Sequence, residues 1–260
     1  MLMSETPLQS AVGRPCLNRD FSNLCDLFKQ SGVDLRSEIF DRLMLSSGDV
    51  ANNDPVVLLD GGCGTGAAIE HAVRAFSMSA KRMGISREIK GIGVDLNPVV
   101  DIDDYILNTG SEVGFDSRLM SNIVSGDVSD LPVQSDSVDI YYSSNVSVYV
   151  DDMLKAFEEA YRILKSGGIA VVHVRKDAIS IPGFDRVLEL TPGASDLFEY
   201  IDVDREVGFV VCRKIPNAPE FKGFPFKFVK AIEPDESVRR TLDDRFAYFR
   251  VAVYVCINGS

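Results

Sequence analysis

Five short runs that are apolar or β-prone on both faces alternate with helical patterns through the first 175 residues, and this alternation most constrains the fold. They are VVLL (56–59), GIGV (91–94), NIV (122–124), VDIYY (138–142) and IAVVHV (169–174). Runs without a polar face read as buried parallel strands. Between the last two lies DDMLKAFEEAYRILKSGG, where Asp151 can cap a helix whose apolar face carries Leu154, Phe157, Tyr161 and Leu164. Gly167, following Lys165, is expected to end it. The pattern predicts an α/β fold, a doubly wound and mostly parallel sheet that binds ligands at the carboxyl ends of its strands.

The flanks differ from this centre. Residues 21–46 show two helical patterns, the second with Leu35, Ile39, Leu43 and Met44 on one face. EVGFVVCRKI (206–215) and FAYFRVAVYVCI (246–257) alternate as an antiparallel strand pair would, separated by PNAPEFKGFPFKF and a short helical candidate at ESVRRTL. The expected organisation is an N-terminal helical cover over 1–50 and one α/β domain over 51–260 with an insertion at about 216–245.

The 260 residues carry a formal charge of −12, and the excess is local. Residues 91–140 hold ten carboxylates against Arg118, whereas the block just before them contains Arg74, Lys81, Arg82, Arg87 and Lys90, opposed by Glu88. Bulk acidity argues against a nucleic-acid partner, and the basic block is expected to be a solvated helix face. Five scattered cysteines without CxxC spacing fit reduced thiols in the cytoplasm. No signal-peptide pattern and no apolar run long enough to cross a bilayer is present, so no membrane partner is expected. Asp101, Asp103 and Asp104 lack the spacing and turn glycine of an oxygen-ligand metal loop and read as a capped helix start; no metal is expected.

The most specific signal is VVLLDGGCGTGAAIE (56–70), in which a strand delivers Asp60, Gly62, Gly64 and Gly66 to the start of a helix. Glycines there allow positive φ and close ligand approach, and a helix N-terminus offers N–H groups to an anion. Gly62, Gly64 and Ala67 also satisfy the dinucleotide fingerprint, so residues downstream must decide. Asp95 ends the second strand, where a carboxylate can accept both hydroxyls of an unphosphorylated ribose. It lies 29 residues after Gly66, so the basic block is expected to lengthen the helix or the loop after it. SGDVSDLP follows the third strand and places Asp127 where it could accept from an exocyclic amine.

LDGGCGTG, GVDLNP, GDVSDLPVQSDSVDIYYSSNV and AYRILKSGGIAVVHV, in this order, resemble the successive motifs of class I S-adenosylmethionine-dependent methyltransferases. From Asp127 to Val174 the likeness is strongest to the small-molecule branch typified by ubiquinone and menaquinone biosynthesis. It covers roughly residues 55–176 and implies a Rossmann-like sheet with S-adenosyl-L-methionine as cofactor. The resemblance places Gly62, Gly64 and Gly66 under the methionine part, with Asp60 and Gly61 ordering the loop and the amine. It assigns Asp95 and Leu96 to the ribose, Asp127 and Val128 to the adenine, and Ser144 and Asn145 to the methionine end and the acceptor. A reversed strand pair ends seven-stranded versions of the fold, and 206–215 with 246–257 could supply it.

In-line methyl displacement relies on positioning and desolvation, and needs a base only where the acceptor loses a proton. Relatives often have a histidine shortly after the fourth strand; here Tyr149 stands near that place as the candidate catalytic residue, with packing on the cofactor as its other reading. His71 and His173 are expected to be structural, while Arg175, Lys176 and Asp177 lie where an acceptor could be bound. Cys63 has a helix N-terminus to lower its thiol pKa but no implied nucleophilic role. Absence of N/D-P-P-Y at SSNV argues against amino-group methylation of bases or protein glutamine. The expected function is methyl transfer to an oxygen, nitrogen or carbon of a small molecule. A cofactor-binding protein that does not methylate, and a nicotinamide oxidoreductase, are the alternatives.

Overall fold

The computed structural model describes residues 21–45, 54–96, 122–147, 150, 153–175, 198–202, 207–214, 226–232 and 253–258. Helix α1 (Phe21–Phe28), a 3-10 turn and α2 (Leu35–Leu45) precede β1 (Val56–Gly61), α3 (Ala67–Arg82), β2 (Ile89–Asp95), β3 (Ile123–Ser125), β4 (Val138–Ser143), α4 (Met153–Ile163) and β5 (Leu164–Arg175). β6 (Phe198–Asp202), β7 (Val207–Arg213), β8 (Phe226–Ile232) and β9 (Val253–Asn258) follow.

Seven strands form one sheet in the order β3-β2-β1-β4-β5-β7-β6. The first five are parallel, and β7 runs antiparallel to both β5 and β6. All five runs predicted as parallel strands are strands of this sheet. The order reverses between β1 and β4, so the carboxyl ends of these neighbours open the crevice that a doubly wound sheet offers to ligands.

Strand periodicity divides the core into two layers. Leu58, Ile140, Tyr142, Ile169, Val171, Phe209 and Val211 face α1, α2 and α3, where Phe21, Phe28, Leu35, Ile39 and Leu43 join them. Leu59, Tyr141, Ala170, Val172 and Val210 point to the other layer, which α4 closes with Phe157 and Tyr161. Of the face predicted for α2, Leu35, Ile39 and Leu43 are buried but Met44 is exposed. Leu154 has no described side chain; Phe157, Tyr161 and Leu164 are buried as expected.

Three expectations are corrected. The helix before β5 ends at Ile163, not at Gly167: Leu164 already pairs with Val138, and the ladder resumes at Ile140 with Ile169. Lys165 to Gly168 form the bulge between, in which Gly167 adopts φ 78°. The bulge is pinned by Lys165 Nζ on Asp139 Oδ2 at 2.7 Å and by Arg42 on Gly167 O at 2.9 Å.

The reversed strand 207–213 takes β5 and 198–202 as its neighbours, not 246–257. Residues 253–258 pair instead with 226–232, within the stretch expected as an insertion, in a separate two-stranded sheet. Third, the basic block is no uniformly solvated helix face. Lys81 and Arg82 do end α3, as its predicted lengthening requires, but Arg87 donates to Asp54 O and to Arg42 O, both at 2.6 Å. A cation is thereby set at the carbonyl end of α2, where the helix dipole favours it.

Candidate functional site

β1 delivers Asp60 and Gly61 to the loop, whose path is set by hydrogen bonds to the end of β2. Gly62 N and Cys63 N donate to Val94 O at 2.6 and 3.1 Å, and Gly66 N donates to Cys63 O at 2.9 Å. Gly64 N donates to Asp95 Oδ2 at 2.8 Å. The amides of Gly62, Cys63, Gly64 and Gly66 therefore have acceptors within the protein, so at these positions the loop is no phosphate cradle of free N–H groups.

Two glycines show why the loop needs them. Gly62 sits at φ 77°, and a Cβ there would lie 2.0 Å from Val146 Cγ2, because the segment after β4 packs on the loop. Gly64, at φ 54°, has nothing within 4 Å of the same position. Its bare backbone faces open space, as a surface that receives a ligand must.

Asp60 is buried beneath the loop and pairs in register with Tyr142 of β4, on the face that carries α1. Burial, reinforced by the nearby Asp95 charge, pushes its carboxyl up to about 8. The same burial raises the Cys63 thiol, with Asp60 and Asp95 adding to it, and overrides any help from the helix N-terminus. Cys63 is a protonated thiol packed where a Cβ at Gly93 would meet its sulfur at 2.6 Å, not a nucleophile.

Asp95 is half-buried and Leu96, beyond it, is exposed. Asp127 is exposed, and its Oδ1 accepts from Ser129 N at 2.8 Å and Ser129 Oγ at 2.7 Å, a local turn that fixes the carboxylate's direction. Val128 is buried beside it. Ser144 and Asn145 leave β4 at the same edge. Asn145 takes φ 61°, a left-handed conformation that Asn tolerates better than most residues. Ser144 Oγ lies 3.4 Å from His173 Nδ1 on β5. His173 is buried against Phe209, ring centroids 5.3 Å apart, which agrees with a packed histidine yet sets it at the carboxyl edge. His71 is exposed on α3. Tyr149, the Asp101–Asp103–Asp104 cluster, Asp151, Lys176, Asp177 and ESVRRTL lie outside the described residues, as does the side chain of Arg175.

The structure thus brings Asp60, Gly61, the loop glycines, Asp95 and Asn145 together around the switch in strand order, with Asp127 beside β2's end. Two groups of residues escape sequence reasoning. Tyr142 is the register partner of Asp60. Arg162 of α4 donates to Val133 O at 2.9 Å and Leu131 O at 3.0 Å while bridging Glu159, whose Oε2 accepts from Leu131 N at 2.8 Å. One helix thereby holds the segment that follows Asp127 and Val128. Its only sequence signal is an acid and a base three residues apart.

A concavity of about 550 Å³, lined by Lys81, Arg87 and Glu88 among others, lies at the amino-terminal edge of β2, away from this site. Among the described residues no group of His, Cys, Asp and Glu could hold a metal ion, and no helix is long and apolar enough to cross a membrane.

A switch-point crevice, a glycine loop with one face left open and acids at successive strand ends make this edge the candidate ligand site of a seven-stranded, doubly wound fold. Residues 59–172 match the family model described as a methyltransferase domain. It is similar to the malonyl-[acyl-carrier protein] O-methyltransferase of Methylovorus sp. (strain MP688), 27% identical over 217 residues that cover 80% of this chain and 65% of that protein. It is also similar to 2-methyl-6-phytyl-1,4-hydroquinone methyltransferase 1, chloroplastic, of Oryza sativa subsp. japonica, 45% identical over 49 residues, 19% of this chain and 15% of that one. The chain thus spans less than two thirds of either relative's length. Among solved structures, a TehB-like SAM-dependent methyltransferase from Corynebacterium glutamicum is 19% identical, with a TM-score of 0.41 over 75% of this chain and 96% of that one.

Proposed function

We propose that the chain transfers a methyl group from S-adenosylmethionine to a small-molecule acceptor. The observation that carries this is the pairing of Asp60 and Asp95 around the open Gly64 backbone. The Asp95 charge raises the cost of charging Asp60, and the site becomes favourable when a cation with hydroxyls to satisfy is seated there. When bound, S-adenosylmethionine supplies a sulfonium-bound methyl group open to in-line displacement.

Asp60 receives the cofactor's ammonium, with Gly61, Gly62, Gly64 and Gly66 shaping the backbone beside it. Asp95, already oriented by the Gly64 amide, accepts the ribose hydroxyls next to Leu96. Asp127 accepts from the adenine amine and Val128 packs on the ring. Ser144 and Asn145 face the methyl end. A proton lost by an acceptor has a route through Ser144 Oγ to His173 Nδ1, which reduces the need for a histidine after β4; Tyr149 is retained as the residue that orients the acceptor.

Incubating the protein with methyl-labelled cofactor tests this reading. The acceptors named for the two relatives, a carrier-linked malonyl group and a substituted hydroquinone, come first, followed by a metabolite extract. The expected result is label in a small molecule. Cofactor binding with no acceptor labelled would support a non-methylating protein instead.

A further inference from the structure

Tyr142 is 1% exposed, and among the described residues its hydroxyl makes no well-directed hydrogen bond beyond its approach to the Asp60 carboxyl. Such a group is costly to bury, so its position requires a reason. Parallel pairing in register puts its side chain on the same face as that of Asp60, also buried, and the hydroxyl stands against that carboxyl. The ring cannot easily withdraw. Phe21 and Phe28 of α1 pack on it with centroids 6.2 Å away each, and Phe28 in turn packs on Phe209. The other ionisable groups around the pair are Asp95 from β2, Cys63 from the loop, Tyr141 from β4 and Cys25 from α1, and each of these is acidic or neutral.

We propose that Tyr142 is a positioning residue for the cofactor's amine: its hydroxyl, clamped by the α1 phenylalanines, donates to the Asp60 carboxylate once that group ionises, and so holds the charge that receives the ammonium. The inference rests on the assignment of Asp60 to that amine. It explains why a phenol is buried there with the Asp60 carboxyl as its one acceptor, and it links the N-terminal helix to ligand binding through two aromatic contacts. The burden on Asp60 is visible in the free protein, where burial and Asp95 push the carboxyl up to about 8 even though the Tyr142 hydrogen bond draws it down. A donor that favours its ionised form lowers the pH at which the ligand is first bound well.

The test is the pH profile of binding, from pH 6 to 9, of two ligands to the full chain and to Tyr142→Phe and Asp60→Asn. S-adenosylhomocysteine carries the amino acid; 5′-methylthioadenosine keeps the adenosine and thioether and lacks it. Tyr142→Phe keeps both ring contacts, so its melting temperature is expected to be no lower than the parent's. Its affinity for S-adenosylhomocysteine is expected to fall about tenfold at pH 7, with the rise in affinity displaced by about one unit to higher pH and the deficit closing towards pH 9. 5′-Methylthioadenosine should bind parent and variant alike. An unmoved profile in Tyr142→Phe, or equal losses for both ligands, overturns the proposal. If Asp60→Asn leaves the preference for S-adenosylhomocysteine over 5′-methylthioadenosine unchanged, the assignment of Asp60 to the amine is what fails.

Discussion

A carboxyl buried under a glycine loop is easier to fold protonated than charged, and Asp60 carries that penalty into the stability of the chain. Its folded pKa, about 8, lies above the unfolded value of 3.8, so the native state binds the proton more tightly. The associated stability is fully present below pH 3.8 and is lost as pH rises through about 8. Asp60→Asn, neutral at every pH, is therefore expected to be more stable than the parent by on the order of 2 to 4 kcal/mol at pH 7.5 and to match it near pH 4. Urea denaturation at both pH values measures this; a variant no more stable at pH 7.5 would show that the carboxyl is not under strain. Asp95→Ala is expected to weaken S-adenosylhomocysteine binding by about 2 to 4 kcal/mol, through the lost ribose bonds and the released Gly64 amide, while the chain stays folded. An unchanged dissociation constant by calorimetry would contradict it. At this scale the acids were legible because each follows an apolar run that can only be a strand. Tyr142 was not, since its relation to Asp60 depends on the β1–β4 register, which no local pattern encodes.

Elements here are held by close approaches that a sequence records only as glycines and charges. A Cβ at Gly91 would lie 2.6 Å from Ile69 and 2.7 Å from Val73, so α3 can lie on β2 only over a residue without a side chain. Gly91→Ala is expected to cost about 1 to 3 kcal/mol in chemical denaturation. Arg162→Met keeps the stem of the side chain and removes the bonds to Leu131 O and Val133 O. It should lower cofactor affinity several-fold by loosening the Asp127–Val128 segment, and unaltered affinity would show that this segment holds itself. The five parallel strands were readable because burial on both faces leaves apolar runs. FEYID (198–202) was missed, being short and rich in charge, as edge strands are. Gly167 resembled a helix stop because the helix–strand boundary lies inside a bulge, where a left-handed glycine serves equally well.

Over the whole molecule, two aromatic and aliphatic layers hold a sheet whose switch point collects acids rather than bases. The formal charge of −12 argues against a polyanionic partner, and locally the same imbalance favours a ligand that brings its own positive charge. Fold and cofactor class were legible in the sequence because both depend on strand ends in fixed order. The acceptor was not, because the segments expected to shape its cavity, 1–50 and 216–245, carry no readable motif. The most direct test of the account is a thermal-shift comparison of two ligands, S-adenosylhomocysteine and NADH. At a hundred times its dissociation constant a ligand selective for the folded state adds about 2.7 kcal/mol. For a chain of this size S-adenosylhomocysteine should then raise Tm by about 5 °C or more, with NADH leaving it unchanged. Stabilisation by NADH and none by S-adenosylhomocysteine would contradict the account.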